Sequence, residues 1–262
     1  MHDIQPNRRA LMGALMLAAV LPCHAEDAGR DLLARADEIR NPEGSFSMNL
    51  VLAEYRAGQL AGQAALTVYA KPAPDSGQYN NLVRYQQPVQ DANKLVLRNG
   101  VDVWFYDPKS AASVRISPQA RLMGQASNGD VMATRLAKDY SATLLGKEKL
   151  EPAAGGASAT KLRLTATRPD VPYARVDYWI EENSNRPLKA QYFTSEGRLL
   201  KTAFFRRYQQ ELGRERPTET VIIDGLDPQW ITIMRASSYA KREIPQNWLQ
   251  REYLSRFNPD NG

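Results

Sequence analysis

A β-strand and its closing turn run through residues 102–108, Asp102-Val103-Trp104-Phe105-Tyr106-Asp107-Pro108. Successive side chains of a strand point to opposite faces, which puts Trp104 and Tyr106 together on one face. Val103 and Phe105 fall on the other. A strand that is apolar on both faces is covered on both sides or borders a cavity. The stretch therefore predicts a strand inside a larger β-structure.

Short strands of the same kind lie on both sides of this stretch. Asn99-Gly100 just before it predicts a tight hairpin of type I′. Turn residues separate the other segments, and most segments are rich in β-branched or aromatic residues. We predict twelve strands, over residues 46–52, 64–70, 81–85, 94–98, 101–106, 113–117, 161–167, 175–181, 188–194, 199–208, 218–223 and 231–237. About 11–12 antiparallel strands with few helices indicate a mainly β fold, an open or closed barrel.

Three helices interrupt or flank the strands. The first is predicted over residues 31–40, and Asn41-Pro42-Glu43-Gly44 ends it. The second begins at Asn128 and ends at Gly146; its apolar stripe, spaced four apart, is Met132, Leu136 and Tyr140. The third begins at Ile244-Pro245, and its stripe is Leu249, Tyr253 and Phe257.

The N-terminus has the order of a bacterial signal peptide. Arg8 and Arg9 precede an apolar run over residues 10–21, and a small residue follows at Ala25. The run is shorter than the roughly 20 residues that a membrane span needs. We expect residues 1–25 to be removed, leaving residues 26–262 as a single periplasmic domain. The double arginine also resembles a twin-arginine signal, but it is commoner in ordinary Sec signals, and Pro22 before Cys23 makes a poor lipidation site.

The composition excludes several classes of function. The chain has 262 residues and a formal net charge of +5, with one Cys and two His. These are Cys23, His2 and His24, so the expected mature chain has none. Ser-His-Asp and Cys-His catalysis, Cys/His zinc sites and thiol chemistry are thereby excluded. No enzyme motif is present, and we predict a non-enzyme without cofactor or metal.

The positive charge allows an anionic partner such as a membrane surface or an acidic protein. Nucleic acid is not expected, because the basic residues are scattered without a run of five or more.

Several motifs together resemble the outer-membrane lipoprotein-sorting family of LolA-like periplasmic carriers. They are the signal peptide, Trp104-Phe105-Tyr106-Asp107-Pro108, Arg115-Ile116-Ser117, Gly124-Gln125-Ala126-Ser127-Asn128-Gly129-Asp130 before a helix, and Ile244-Pro245-Gln246-Asn247-Trp248-Leu249. The resemblance covers nearly all of residues 31–257. It implies an unclosed antiparallel β-barrel, a half-pipe whose apolar inner face holds acyl chains beneath lid helices. In the carrier that gives the family its name an arginine tethers the lid, and Arg56 and Arg84 are candidates for it by position.

The first hypothesis is therefore a monomeric periplasmic carrier of lipid or lipoprotein acyl chains toward the outer membrane. The predicted cavity lining, from period-2 alternation, is Leu50, Leu52, Leu66, Val68, Trp104, Tyr106, Leu162, Leu164, Tyr178 and Ile180. The lid residues are Met132, Leu136 and Tyr140; for all of these, plain core packing is the alternative. The second hypothesis is an accessory protein that carries no lipid and docks on an inner-membrane exporter of the resistance-nodulation-division type.

Overall fold

The computed structural model describes residues 23–151 and 156–261. The predicted signal peptide lies outside these residues except for residues 23–25, which begin the first helix. The helices are α1 (Cys23–Arg40), α2 (Asn128–Val131) and α3 (Leu136–Asp139). The strands are β1 (Phe46–Arg56), β2 (Gln59–Pro72), β3 (Tyr79–Gln87), β4 (Leu95–Asn99), β5 (Asp102–Asp107), β6 (Ala112–Ile116), β7 (Arg121–Met123), β8 (Ala126–Ser127), β9 (Tyr140–Lys149), β10 (Ser158–Ala166), β11 (Arg175–Glu181), β12 (Pro187–Phe193), β13 (Leu199–Glu211), β14 (Arg214–Asp224) and β15 (Trp230–Lys241). Short 3₁₀ helices cover Val89–Asp91, Gln246–Leu249, Arg251–Arg256 and Pro259–Asn261.

One large sheet dominates the described part of the chain. Its 13 strands run in the order β6-β5-β4-β3-β2-β1-β15-β14-β13-β12-β11-β10-β9. Every neighbouring pair is antiparallel, and β1 pairs with β15, which joins the two halves of the chain. The sheet is not closed, because β6 and β9 end the order without pairing to each other. The predicted unclosed barrel is confirmed. β9, at the end of the predicted second helix, adds a strand to the twelve expected in this sheet, and β7 and β8 form a separate two-stranded sheet that was not predicted.

The hairpin between β4 and β5 differs in detail from the prediction. Asn99 pairs with Asp102, so Gly100 and Val101 are the two loop residues. Gly100 has φ +60° and Val101 is not among the residues with positive φ. A positive φ at the first loop residue alone is typical of type II′ and not of type I′.

Helix α1 packs against the edge strand β9 at a glycine. A Cβ atom at Gly29 would lie 2.6 Å from the carbonyl oxygen of Ala142. Glycine in a helix costs about 1 kcal/mol relative to alanine, but here it allows the helix backbone to approach the strand. Arg216 holds the other end of α1: its guanidinium donates to the carbonyl oxygens of Glu38 (2.8 Å) and Ile39 (3.0 Å).

The sheet buries apolar side chains on both faces. The inner face, which α1 and α2 cover, carries the larger cluster, which includes Leu33, Leu52, Leu66, Val83, Val96, Val131, Leu162, Leu164, Tyr178, Ile180 and Ile222. The outer face of β2–β5 carries the second, which we call the C-terminal cluster: Tyr69, Leu82, Leu95, Leu97, Tyr106, Ile244, Trp248, Leu249 and Leu254.

The C-terminal segment is not the single predicted helix. Gln250 is extended, with φ −117° and ψ 137°, and divides it into two short 3₁₀ helices. The side chain of Asn99 donates to the carbonyl oxygen of Leu249 at 3.0 Å, so this carbonyl has a partner outside a helix.

Candidate functional site

The inner face receives most of the residues predicted to line a cavity. They are Leu50, Leu52, Leu66, Val68, Leu162, Leu164, Tyr178 and Ile180, all buried in the inner cluster. Of these only Leu50 borders the cavity itself. The other seven do not border the cavity. They are buried in the hydrophobic core of the inner face.

Trp104 and Tyr106 lie on the outer face, which corrects the predicted placement. Both belong to or pack against the C-terminal cluster, and the guanidinium of Arg251 lies 4.1 Å from the Trp104 ring centre. Val103 and Phe105 take the inner side of β5 instead. Alternation separated the two faces correctly, but both faces of this strand are apolar and the pattern alone does not tell which one is inner.

A cavity of about 120 Å³ lies between the inner face and the segment 128–140. The strands contribute an apolar wall that includes Met48, Leu50, Ala203, Phe205, Ile222 and Met234. Tyrosines 140, 173, 192 and 239 also border it. This apolar wall is suited to bind a hydrocarbon chain, and polar groups lie at only a few places around it.

The predicted lid helix is two single turns joined by extended chain. Met132 is the extended residue that ends α2, Leu136 lies in α3, and Tyr140 begins β9. The stripe at four-residue spacing is therefore wrong as a helix, although all three residues border the cavity. We call residues 128–139 the lid.

Side-chain amides hold the lid in its extended form. Asn81 of β3 donates to the Ala133 carbonyl at 3.0 Å and accepts from the Ala133 N–H at 2.9 Å. Gln78 makes the same pair of bonds with Arg135, at 3.0 and 2.8 Å. Asn41 donates to the Thr134 carbonyl at 2.8 Å. These bonds satisfy backbone groups that a continuous helix would use internally, which explains why the helix is interrupted.

Neither arginine proposed as the lid tether contacts the lid. Arg56 lies with its guanidinium carbon 3.2 Å from the centre of the Trp230 ring. Arg84 donates to the side chain of Asn93 at 2.7 Å. A different arginine, Arg98 of β4, contacts the lid, with its guanidinium 3.4 Å from the Asp139 carboxylate.

Two carboxylates of the cavity wall, Asp130 and Asp139, have basic partners. Asp130 accepts a hydrogen bond from the buried ammonium of Lys201 and another from the Tyr173 hydroxyl at 3.0 Å. Burial lowers the pKa of Lys201, and the charge of Asp130 opposes that effect. Asp139 lies 3.4 Å from Arg98 and 3.2 Å from Arg168.

A third charged pair, Asp37 and Arg40, lies at the end of α1. The Asp37 carboxylate accepts from the N–H of Ala137 in the lid at 2.8 Å. Its other oxygen, Oδ1, is buried without a hydrogen bond in the described part of the chain. Burial raises the pKa of Asp37 from 3.8 to about 6, although Arg40 and the Ala137 N–H oppose this.

This raised pKa predicts a pH-dependent stability. Between pH 3.8 and about 6 the unfolded state loses the Asp37 proton while the folded state keeps it, so the contribution of Asp37 is lost as pH rises. We expect wild type to lose about 2 kcal/mol relative to Asp37→Asn between pH 4 and pH 7, measured by urea unfolding. Glu38→Gln, an exposed neighbour, is the control. An Asp37→Asn difference that is equal at both pH values would contradict the assignment.

Within residues 23–151 and 156–261, no group of three or more His, Cys, Asp and Glu side chains is placed to hold a metal ion. None of the helices described there is long and apolar enough to cross a membrane.

Comparison with known proteins assigns the chain to a family. The model of a family described as "Uncharacterized protein" matches residues 77–256. The chain belongs to this family. No curated protein matches the sequence.

Solved structures connect the fold to LolA-like proteins. A LolA superfamily protein from Nitrosomonas europaea is 28% identical, with a TM-score of 0.77, covering 86% of this chain and 98% of that one. A DUF1329 family protein from Desulfovibrio piger is 22% identical, with a TM-score of 0.74, covering 88% and 99%. A putative outer membrane lipoprotein-sorting protein domain from Vibrio parahaemolyticus is 18% identical, with a TM-score of 0.74, covering 88% and 100%. The predicted resemblance to LolA-like lipoprotein-sorting proteins is confirmed.

Proposed function

We propose that this protein is a periplasmic carrier that holds the acyl chain of a lipid or lipoprotein beneath the lid during transport toward the outer membrane. The observation that carries the proposal is the apolar cavity between the inner face and the lid. The LolA-like fold and the name of the Vibrio parahaemolyticus relative support the same class of cargo.

Burial of hydrocarbon supplies the affinity. Each methylene removed from water contributes about 0.8 kcal/mol, so a chain of about 14 carbons offers on the order of 10 kcal/mol before ordering costs. Ordering the chain and moving the lid reduce this figure.

The lid has to move for a whole acyl chain to enter. A dry cavity of about 150 Å³ holds a benzene-sized molecule, and the cavity here is about 120 Å³. The ion pairs of Asp130 and Asp139 hold the two ends of the lid. The segment 133–135 between them is held by hydrogen bonds to the side chains of Asn81, Gln78 and Asn41. Exchange of such bonds with water costs little net free energy, about 0.5–1.5 kcal/mol each, which makes this attachment reversible.

A cavity-filling substitution tests the proposal. Ala203 borders the cavity and is 3% exposed, so the ring of Ala203→Phe is expected to occupy the space of the ligand. We expect this variant to bind a long-chain fatty acid at least about tenfold more weakly than wild type, a loss of about 1.4 kcal/mol, measured by displacement of an apolar fluorescent dye.

The matched control is Ala240→Phe, an exposed alanine of β15, which should bind as wild type does. A folded Ala203→Phe protein with unchanged affinity would exclude this cavity as the acyl site. A wild-type protein that takes up neither dye nor fatty acid would favour the docking hypothesis.

A further inference from the structure

Three arginines surround one buried carboxylate on the outer face of β13–β15. Glu219 is 4% exposed, and the Nε atoms of Arg206, Arg207 and Arg235 lie 3.9, 3.3 and 2.9 Å from its oxygens. Nε makes the closest contact in each case and the three side chains are 49–62% exposed, which leaves the terminal nitrogens available to another anion. No other carboxylate of residues 23–151 and 156–261 pairs with these arginines, so the group has a net positive charge of two.

The backbone at Arg207 brings two consecutive arginines to this group. Successive side chains of a regular strand point to opposite faces, yet Arg206 and Arg207 both approach Glu219. Arg207 has φ +51°, in the left-handed region that is unfavourable for a residue with a side chain. The Thr218 hydroxyl donates to the Arg207 carbonyl at 2.6 Å and holds this irregularity. The irregular backbone therefore adds a positive charge to the outer face.

A second group of the same kind lies on the same face. Asp177 of β11 is 5% exposed and lies 3.7, 3.4 and 3.6 Å from Lys161, Arg163 and Arg175. Among the described residues these three have no other carboxylate partner. The next residue, Tyr178, is in the inner cluster, which puts Asp177 on the outer face. β11 and β14 are three strand spacings apart, about 14 Å.

Neighbouring charges do not cancel the positive excess of the two groups. Lys189 pairs with Glu151 at 2.7 Å, and Glu148 accepts a hydrogen bond from the Trp179 ring N–H. These residues add one positive and two negative charges. With them included, basic side chains still exceed carboxylates by three on this face, compared with five for the whole chain.

A shallow apolar strip crosses the sheet beside the two groups. Its residues are half-buried, and register pairs join them across β13, β14 and β15: Phe204, Val221, Ile223, Ile231 and Ile233. We call this strip and the two charged groups the basic face. The Trp179 ring at its side is 2% exposed and is not available as the aromatic anchor that protein interfaces commonly use. Long basic side chains around a shallow apolar surface fit a lipid leaflet, whose many phosphates need no matching shape.

We propose that the basic face docks this protein on a membrane that contains anionic lipids. The terminal nitrogens of the arginines donate to lipid phosphates, and the apolar strip contacts the layer beneath the head groups. Each Lys or Arg near an anionic surface strengthens binding about fivefold. The apolar cavity lies on the opposite face of the sheet, so this docking surface is independent of the acyl site.

Vesicle flotation tests the docking surface. Wild type is expected to bind vesicles of phosphatidylglycerol and phosphatidylcholine in equal parts at least about tenfold more tightly than vesicles of phosphatidylcholine alone, and added salt should weaken this binding. Arg163→Gln/Arg206→Gln leaves two basic partners for each buried carboxylate and should bind the anionic vesicles at least about tenfold more weakly. Arg35→Gln/Arg115→Gln removes two exposed arginines elsewhere and should bind as wild type does.

The outcomes separate docking from acyl binding. Equal binding of wild type to both vesicles, or equal losses in the two double variants, would overturn the proposal. Binding to neither vesicle would also overturn it and would favour an acidic protein as the occupant of the basic face. Ala203→Phe should bind the anionic vesicles as wild type does, and Arg163→Gln/Arg206→Gln should bind fatty acid as wild type does, so either proposal can fail alone. The comparison of the two vesicles needs no variant.

Discussion

Replacing Lys201 by methionine is expected to lower the free energy of unfolding by about 3–5 kcal/mol. Lys201 is 4% exposed, and its ammonium donates to Asp130 and to the Gln125 carbonyl, the latter at 3.1 Å. Removing the cation leaves the Asp130 carboxylate buried without its charge partner, which is the costliest way to break such a pair. The loss is measured by urea unfolding followed by circular dichroism.

The control for this prediction is Lys147→Met, because the Lys147 side chain is 72% exposed in its pair with Glu182 and should change stability by less than about 0.5 kcal/mol. The double variant Lys201→Met/Asp130→Asn should recover part of the loss, since it removes the unpaired charge. If the two single lysine variants were equally stable, the buried pair of Lys201 and Asp130 would not be what holds the start of the lid to β13.

The second large effect is expected from Trp248→Ala, with a loss of about 3–5 kcal/mol. Trp248 is 1% exposed, and its ring centre lies 5.4 Å from that of Tyr69 and 4.8 Å from that of Phe257. It joins the C-terminal segment to the outer face of the sheet. Urea unfolding measures the loss, and the half-buried Tyr253→Ala is the control with a smaller expected effect.

The same variant also tests the assignment of the two faces. Because the C-terminal cluster is on the outer face, Trp248→Ala should bind fatty acid as wild type does under conditions where it stays folded. A stability loss below about 1 kcal/mol, or a selective loss of acyl binding, would contradict this account of the outer face.

The strands were predictable because each one carries its own signal. Residues 46–52 alternate, and turn residues mark the ends of most other strands, so the antiparallel mainly β fold follows from local pattern. The exceptions are the short strands β7 and β8 and the strand β9, whose first residue, Tyr140, was predicted to be the last member of a helical stripe. The interruption of that helix depends on Asn81 and Gln78, which lie more than 50 positions earlier in the chain, and local periodicity contains no information about them.

The site was only partly predictable for the same reason. Leu50, Met132, Leu136 and Tyr140 border the cavity, whereas Trp104 and Tyr106, predicted for the same lining, lie on the outer face. The pairing of Asp130 with Lys201, 71 positions apart, and the position of Arg40 at the cavity have no sequence signature. An apolar pattern identifies what is buried, whereas the choice of inner or outer face is made by the elements that cover the sheet.

Native mass spectrometry of the purified protein tests the central claim most directly. We predict an adduct of defined mass that corresponds to an acyl-containing lipid, that is lost on organic extraction and regained on addition of fatty acid. Ala203→Phe should lack the adduct, and Ala240→Phe should keep it. A clean unliganded mass for wild type, with no uptake of added fatty acid or phospholipid, would contradict the carrier account.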